Sequence, residues 1–398
     1  MKSTHPSAVP PDHPEKRRRI QLRRNRRLQG LCLAASLALL AVLLTLANLF
    51  APDRAFSEQE NRKLAGFPAF SLQRLADGSY FADLEKYTAD QFVGRDMWIS
   101  LRLRAGRLLG QKESNGVLLC RDHYLMELPA AADTKNVSRN LSAINSFAAQ
   151  HPELNMYMTV APNAVSILQD KLPRNAQIPD QRQQLQDLRS GLAGVQFMDV
   201  TEALSAHSNE PLYYRTDHHW TTRGAYRAFE AMAPQMGIDD PITDYEIYTV
   251  SERFEGTLAS KSGSHGVCDS IEIYAPKTQT EYYVEYPDLQ KTVCSMYQRD
   301  CLEQKDQYTV FFGGNHPRVD VVTTAQTGRS LLLLKDSYAN CFVPFLMPYF
   351  DRIIMIDPRY YYDSAEALLA RYEITDVLFL YNASTYFTDH SLADVLTP

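Results

Sequence analysis

The last seventy residues constrain this chain most. Three short, wholly apolar runs, Leu331 to Leu334, Ile353 to Ile356 and Val377 to Leu380, alternate with helical segments at about Ala339 to Tyr349 and Ala365 to Tyr372. Apolar runs with no polar alternation belong to strands buried on both faces. Strand-helix-strand-helix-strand then implies parallel pairing through right-handed crossovers. Ligands of such sheets bind beyond the carboxyl ends of the strands. Asp336-Ser337, Pro358-Arg359-Tyr360 and Asn382 stand at those ends.

The same alternation begins near residue 135. Leu141, Ile144 and Phe147 mark a helix, Leu154 to Val160 a buried strand, and Val195 to Val200 another strand. A helix over Thr222 to Met232 follows, with Thr216 or Asp217 placed to cap its entry. Residues 240 to 325 break the rhythm: they are rich in Tyr, Thr, Ser and Gly, with short β-like runs at Ile271 to Tyr274 and Tyr282 to Val284. We read them as an insertion in an α/β domain spanning 131 to 398. Ahead of it, residues 51 to 130 read as a membrane-proximal helical segment and hairpin. Tyr80, Phe81, Leu84 and Tyr87 share one helix face, a second helix runs from about Met97 to Leu109, and Val117 to Leu119 pairs with Tyr124 to Met126.

The N-terminus bears on location. Residues 1 to 30 carry nine Lys and Arg against Asp12 and Glu15, and Leu31 to Phe50 then runs twenty residues without a charge. As a helix this run is about 30 Å long, the thickness of the hydrocarbon core. Basic residues favour the cytoplasmic side, which leaves residues 51 to 398 extracytoplasmic behind a single-pass anchor. The run exceeds a usual signal's apolar core and lacks a small-x-small site, which argues against cleavage. Of the net charge of −6, the first thirty residues hold +7, so the rest carries −13. Such an acidic domain has no electrostatic footprint for nucleic acid. Five cysteines follow the anchor in no zinc-like spacing, and Cys294 and Cys301 are spaced to close a disulfide.

Thr216-Asp217-His218-His219-Trp220 and Lys335-Asp336-Ser337-Tyr338 carry the chemistry. A serine opening a helix after a buried strand exposes its hydroxyl at the sheet edge, with its own N–H and that of Tyr338 able to hold an oxyanion. The bland alternative is an N-cap serine. Asp217 and His219, two apart, point the same way in an extended segment, so Asp217 can orient His219 toward Ser337. His218 then points away, toward backbone. A metal site built on the same residues lacks a third ligand of suggestive spacing, so no metal and no cofactor is expected. Trp220 reads as a packing residue. Asn382, on the neighbouring strand, is placed to complete an oxyanion hole, and it also begins an Asn-x-Ser sequon, as do Asn136 and Asn140. Gly314 N–H and the Asn315 amide lie in a Gly-Gly-Asn-His turn that can reach the cleft, although a plain turn is the favoured reading. Arg359, with Tyr360, offers a cation for an anionic group or a surface ion pair.

TDHHW followed by GAYRAFEAM, then FFGGNH and LLLLKDSYANCFVPFL with IDPRYY, closely resembles the DHHW-motif family of bacterial envelope proteins. SEQENRKL and DQFVGRDMW fit the same pattern, so the resemblance runs from about Ser57 to Asn382. That family is similar to SGNH-hydrolase-like proteins that O-acetylate exopolysaccharides such as alginate. The resemblance implies a flavodoxin-like three-layer sandwich with a parallel sheet and circularly permuted motif order, Asp217, His219 and Ser337 as the triad, a polysaccharide substrate, and a multispanning membrane O-acyltransferase partner. Lys335-Asp336-Ser337 replaces the usual Gly-Asp-Ser, and Asp-x-His replaces Asp-x-x-His. The expectation is an anchored O-acetyltransferase. The alternatives are a carbohydrate acetylesterase of the same fold and a non-catalytic glycan-binding or assembly subunit.

Overall fold

A computed structural model describes residues 14–278 and 280–397; the first thirteen residues of the basic tail lie outside them. The chain forms two compact units. One takes in the N-terminal helix as far as Ser57 together with Arg62–Trp98; the other holds Glu58–Asn61 and Ile99–Pro398. The larger unit therefore starts well before residue 131. The hairpin of Val117–Leu119 and Leu125–Glu127 belongs to it, and Val117, Leu119 and Leu125 bury against Leu103, Leu258 and Ala259.

In the smaller unit, the helix Pro14–Phe50 contains one stretch, Gln21–Phe50, long and apolar enough to cross a membrane. A second helix, Ser79–Asp90, forms where the apolar periodicity predicts it. Its last residue, Asp90, is buried and takes the Arg62 guanidinium and the Ala65 N–H. Those hydrogen bonds outweigh burial and lower its carboxyl to about 2.

An eight-stranded sheet organises the larger unit. Ser330–Lys335 lies between Arg352–Ile356 and Asp376–Asn382, and Asn155–Ala161 and Gln196–Phe197 follow, all parallel. Beyond Arg352–Ile356 the sheet turns antiparallel through Arg318–Thr323, Tyr282–Tyr286 and Lys291–Val293. Part of the expected insertion is thus one edge of a mixed sheet. The rest forms a ribbon of Tyr245–Phe254 and Asp269–Pro276. Alternate residues of each central strand enter opposite cores, Leu331 and Leu333 on one face, Leu332 and Leu334 on the other. The first face is covered by Ala225, Ala228 and Phe229 of the helix Thr222–Met232, the second by Ile144 and Phe147 of Thr134–Gln150 and Leu185 and Leu188 of Gln181–Gly191. Burying each such side chain contributes about 2 kcal/mol, and doing so on both faces forces the uniformly apolar strands read above.

Four local expectations are corrected. The segment 339–349 is not one helix but Ser337–Cys341, Val343–Leu346 and Met347–Tyr349 in succession. Pro344 and Pro348 remove amide donors and clash with the preceding turn, which breaks it. The strand expected over 195–200 is only Gln196–Phe197, because the chain turns into the helix Thr201–Ala206. Thr222–Met232 is capped by Thr221, whose side chain accepts from the Gly224 N–H, rather than by Thr216 or Asp217. Cys294 and Cys301 are unpaired thiols.

Candidate active site

The segment carrying Asp217 and His219 is a tight loop rather than an extended strand. Tyr213 bridges to Trp220, the Tyr214 N–H donates to the His219 carbonyl, and the Thr221 N–H donates to the Leu212 carbonyl. Trp220, fully buried, donates its indole N–H to the Tyr338 carbonyl at 2.9 Å and stacks on Phe342, which ties the loop to the chain just after Ser337. It packs, as expected.

Within the loop every acceptor site of Asp217 is occupied. Oδ1 receives the His219 N–H at 3.0 Å and His219 Nδ1 at 2.5 Å. Oδ2 receives the Thr257 N–H and the Thr257 hydroxyl, both at 2.8 Å. A carboxylate offers about four lone-pair directions, so four donors fill it and require the ionised form. Burial pushes the Asp217 carboxyl up, but the two histidines and these hydrogen bonds overcome it and hold it well below the usual range. With His219 Nδ1–H donating to Asp217, Nε2 is left bare as an acceptor. Ser337 Oγ lies 2.7 Å from it. Burial and the neighbouring His218 lower His219 to about 4 against the pull of Asp217, so the ring is neutral at pH 7.

Three groups that the sequence reading did not single out complete the enclosure. Gly256 is required because a Cβ there would lie 2.3 Å from Asp217 Cβ and 2.6 Å from Oδ2. Tyr308 stacks on the His219 ring at 3.8 Å and donates its hydroxyl to the Ser337 carbonyl at 3.0 Å. Asp269 fixes the loop from beneath, accepting the N–H groups of Arg215 and Thr216 and the Thr216 hydroxyl. All three come from the segment 240–325, where no periodicity marks them; the Gly256-Thr257 pair heading a short helix was the one available signal. His218 does not point away toward backbone: its Nδ1 meets the Thr257 hydroxyl at 2.9 Å and lies 3.6 Å from Asp217 Oδ1, because Thr257 and Asp217 form the polar side of the loop.

Asp217, His218 and His219 bring one potential metal ligand each within 4.8 Å. Those atoms are already committed to one another and to Thr257, as the bonds above specify.

The remaining predicted residues divide. Ser337 follows Asp336, which caps the turn by accepting the Tyr338 N–H at 2.9 Å, so that amide is spent and only the Ser337 N–H of the expected pair is left. Asn382 is adjacent as predicted, yet its amide donates to Asp336 Oδ2 and Thr385 Oγ1, and its oxygen accepts from Thr385 and Asn163. With both amide hydrogens given away, Asn382 holds Asp336 and is no oxyanion donor. Two sequon asparagines, Asn140 and Asn382, are buried. The Gly314 N–H donates to the Phe311 carbonyl and closes its turn, which also removes it from the expected donors. Asn315, exposed, receives Lys335 Nζ at 3.2 Å on its side-chain oxygen. Arg359 makes a bidentate pair with fully buried Asp357 and lies over the Tyr360 ring, yet its charge is felt at His219, whose proton it disfavours. Lys335 is itself buried, bonded to Asn340 and 3.7 Å from Asp357.

No curated protein matches this chain. Among solved structures it is similar to a DHHW family protein from Eubacterium siraeum, with 26% identity over 71% of this chain and 95% of the other and a TM-score of 0.62. It is also similar in fold to Bacillus cereus PatB1, solved with a sulfonyl adduct, with 20% identity, 69% and 98% coverage and a TM-score of 0.58. A more distant likeness is to the O-acetyltransferase domain of Pseudomonas putida AlgJ, with 14% identity, 70% and 94% coverage and a TM-score of 0.44. The sequence model of the DHHW protein family matches residues 60–122 and 132–356, well over half of the chain, and includes the loop and the serine described above. The chain belongs to the DHHW protein family.

Proposed function

We propose that this protein is a membrane-anchored, extracytoplasmic acyl-transfer enzyme, an O-acetyltransferase of a cell-surface or exported polysaccharide that works through Asp217, His219 and Ser337. The carrying observation is the unbroken relay from a saturated Asp217 carboxylate through a single His219 tautomer to Ser337 Oγ. Ser337 Oγ attacks the acyl carbonyl carbon as His219 Nε2 takes its proton. Asp217 stabilises the imidazolium, and the Ser337 N–H faces the oxyanion, with the Asn315 amide and Arg359 as the further candidates. Collapse breaks the donor ester bond, and His219 returns the proton to the departing oxygen. An acceptor hydroxyl, deprotonated by His219, then attacks the acyl-serine, the acyl–Oγ bond breaks, and His219 returns the proton to Ser337 Oγ.

Ser337 and His219 are 9% and 6% exposed, which favours transfer over hydrolysis because an acyl-enzyme must be kept from water until the acceptor arrives. The motif order fits a circularly permuted SGNH-like fold. A multispanning membrane O-acyltransferase would supply the acyl group. The basic tail and apolar helix support a cytoplasmic N-terminus with residues 51 to 398 outside.

The test uses the full chain with a chromogenic acetyl ester and a glycan acceptor. We expect a sulfonyl fluoride to add covalently at Ser337 and Ser337→Ala to lower turnover by about six orders of magnitude. Release of acetate without transfer would identify an esterase. Absence of both turnover and adduct would make the protein a binding subunit.

A further inference from the structure

The smaller unit carries apolar side chains that the fold leaves uncovered. Phe67, Phe70, Leu72 and Phe81 are each more than half exposed, an unusual cluster on so small a body. What the unit is fastened to identifies their partner. Asn48, two residues before the end of the apolar helix, accepts the Val93 N–H on its side-chain oxygen at 2.8 Å. Two helical residues are about 3 Å of axis, so the turn at Val93 sits beside the last turn of the apolar stretch itself. Just past the helix, Asp53 receives the Tyr87 hydroxyl at 2.8 Å. Arg54 and the Gln91 side chain exchange two hydrogen bonds, at 2.9 and 3.0 Å. Gln91 also grips the Ala65 carbonyl, two residues from Phe67, and Phe67 packs edge-on against Tyr87. Phe70, Tyr80 and Phe81 continue the aromatic chain.

These clamps hold the unit within a few residues of Phe50. Three extended residues reach at most about 10 Å, and a headgroup layer is about 6 Å deep. The geometry points to a second, monotopic membrane contact: Phe67, Phe70, Leu72 and Phe81 enter the interfacial layer of the bilayer that Gln21–Phe50 spans. This inference rests on reading that helix as an uncleaved span. Phenylalanine and leucine side chains beside a span favour the interface because they leave water while the nearby backbone stays hydrated. The outcome is a unit seated on the lipid surface by two contacts rather than swinging on one.

The chain contains two tryptophans, of which Trp220 is buried in the catalytic unit and Trp98 ends the membrane-proximal unit, 40% exposed. Trp98 is therefore a built-in reporter. The full chain would be reconstituted into phosphatidylcholine vesicles whose acyl chains carry bromine near the ester end. The inference requires loss of Trp98 emission in brominated vesicles, and disappearance of that loss in Trp98→Phe. A lipid-borne carbene probe should also label the peptide containing Phe67, Phe70, Leu72 and Phe81. Equal quenching of wild type and Trp98→Phe, with labelling confined to Gln21–Phe50, overturns the second contact while leaving the span intact. A chain whose intact mass lacks the helix overturns both, and is distinguished by that mass alone.

Discussion

Thr257 shows how much of the chemistry lies in residues with no motif. Its amide and hydroxyl supply two of the four donors to Asp217, and its oxygen is also the partner of His218. Thr257→Val keeps the shape and the amide but removes a hydrogen bond to a buried charge. We expect a loss of about 2 kcal/mol of transition-state stabilisation, roughly thirtyfold in kcat/KM, with a lowered Tm because the buried carboxylate loses the same donor in the resting fold. Titration provides a second check. His219 is lowered to about 4 by burial and His218, so the base form dominates above that pH and is lost below it. Esterase or transferase activity is therefore expected to be flat from about pH 5.5 upward and to fall by half near pH 4, not near the ordinary histidine value of about 6.5. A midpoint near 6.5 in the kcat/KM profile would contradict the buried, Asp217-paired geometry. Asp217, His219 and Ser337 were legible because residue type and spacing restrict them. Asn382 was legible in place but not in role, since hydrogen-bond competition with Asp336 and Thr385 is decided by distances that no sequence contains.

At the scale of elements, helix Thr222–Met232 matters because it packs the face of the sheet on which the loop sits. Glycine in a helix ordinarily costs about 1 kcal/mol against alanine. Gly224 is an exception: a Cβ there would approach the Leu212 carbonyl oxygen to 2.2 Å, a backbone atom that cannot swing aside. Gly224→Ala should therefore destabilise the protein by about 2 kcal/mol instead of stabilising it, read as a lower urea midpoint at unchanged m-value. The helix itself was predicted to the residue, because its apolar period and both ends are local. The broken segment after Ser337 carried its own signal in Pro344 and Pro348, which a reading by apolar period alone passes over.

For the whole molecule, packing rather than crosslinking is the source of stability. All six cysteines are thiols; Cys120, Cys301 and Cys341 are buried, while Cys32, Cys268 and Cys294 are exposed. Reductant should leave Tm unchanged, and a maleimide should add to Cys268 and Cys294 in the folded protein and to the buried three only after denaturation, read as intact mass, while Cys32 lies in the apolar stretch Gln21–Phe50. By itself the sequence determined the apolar helix, the parallel centre of the sheet, the family and the set of Asp217, His219 and Ser337 that the fold brings together. Each of these depends on local periodicity, length or residue type, which a linear string carries. Only the tertiary structure decided that residues 240–325 form a sheet edge and enclose the site with Gly256, Thr257, Asp269 and Tyr308. It also decided that Asp336 takes donors from Asn382. Those outcomes depend on which polar groups meet across dozens of intervening residues, and hydrogen-bond capacity, once filled by one partner, is closed to every other.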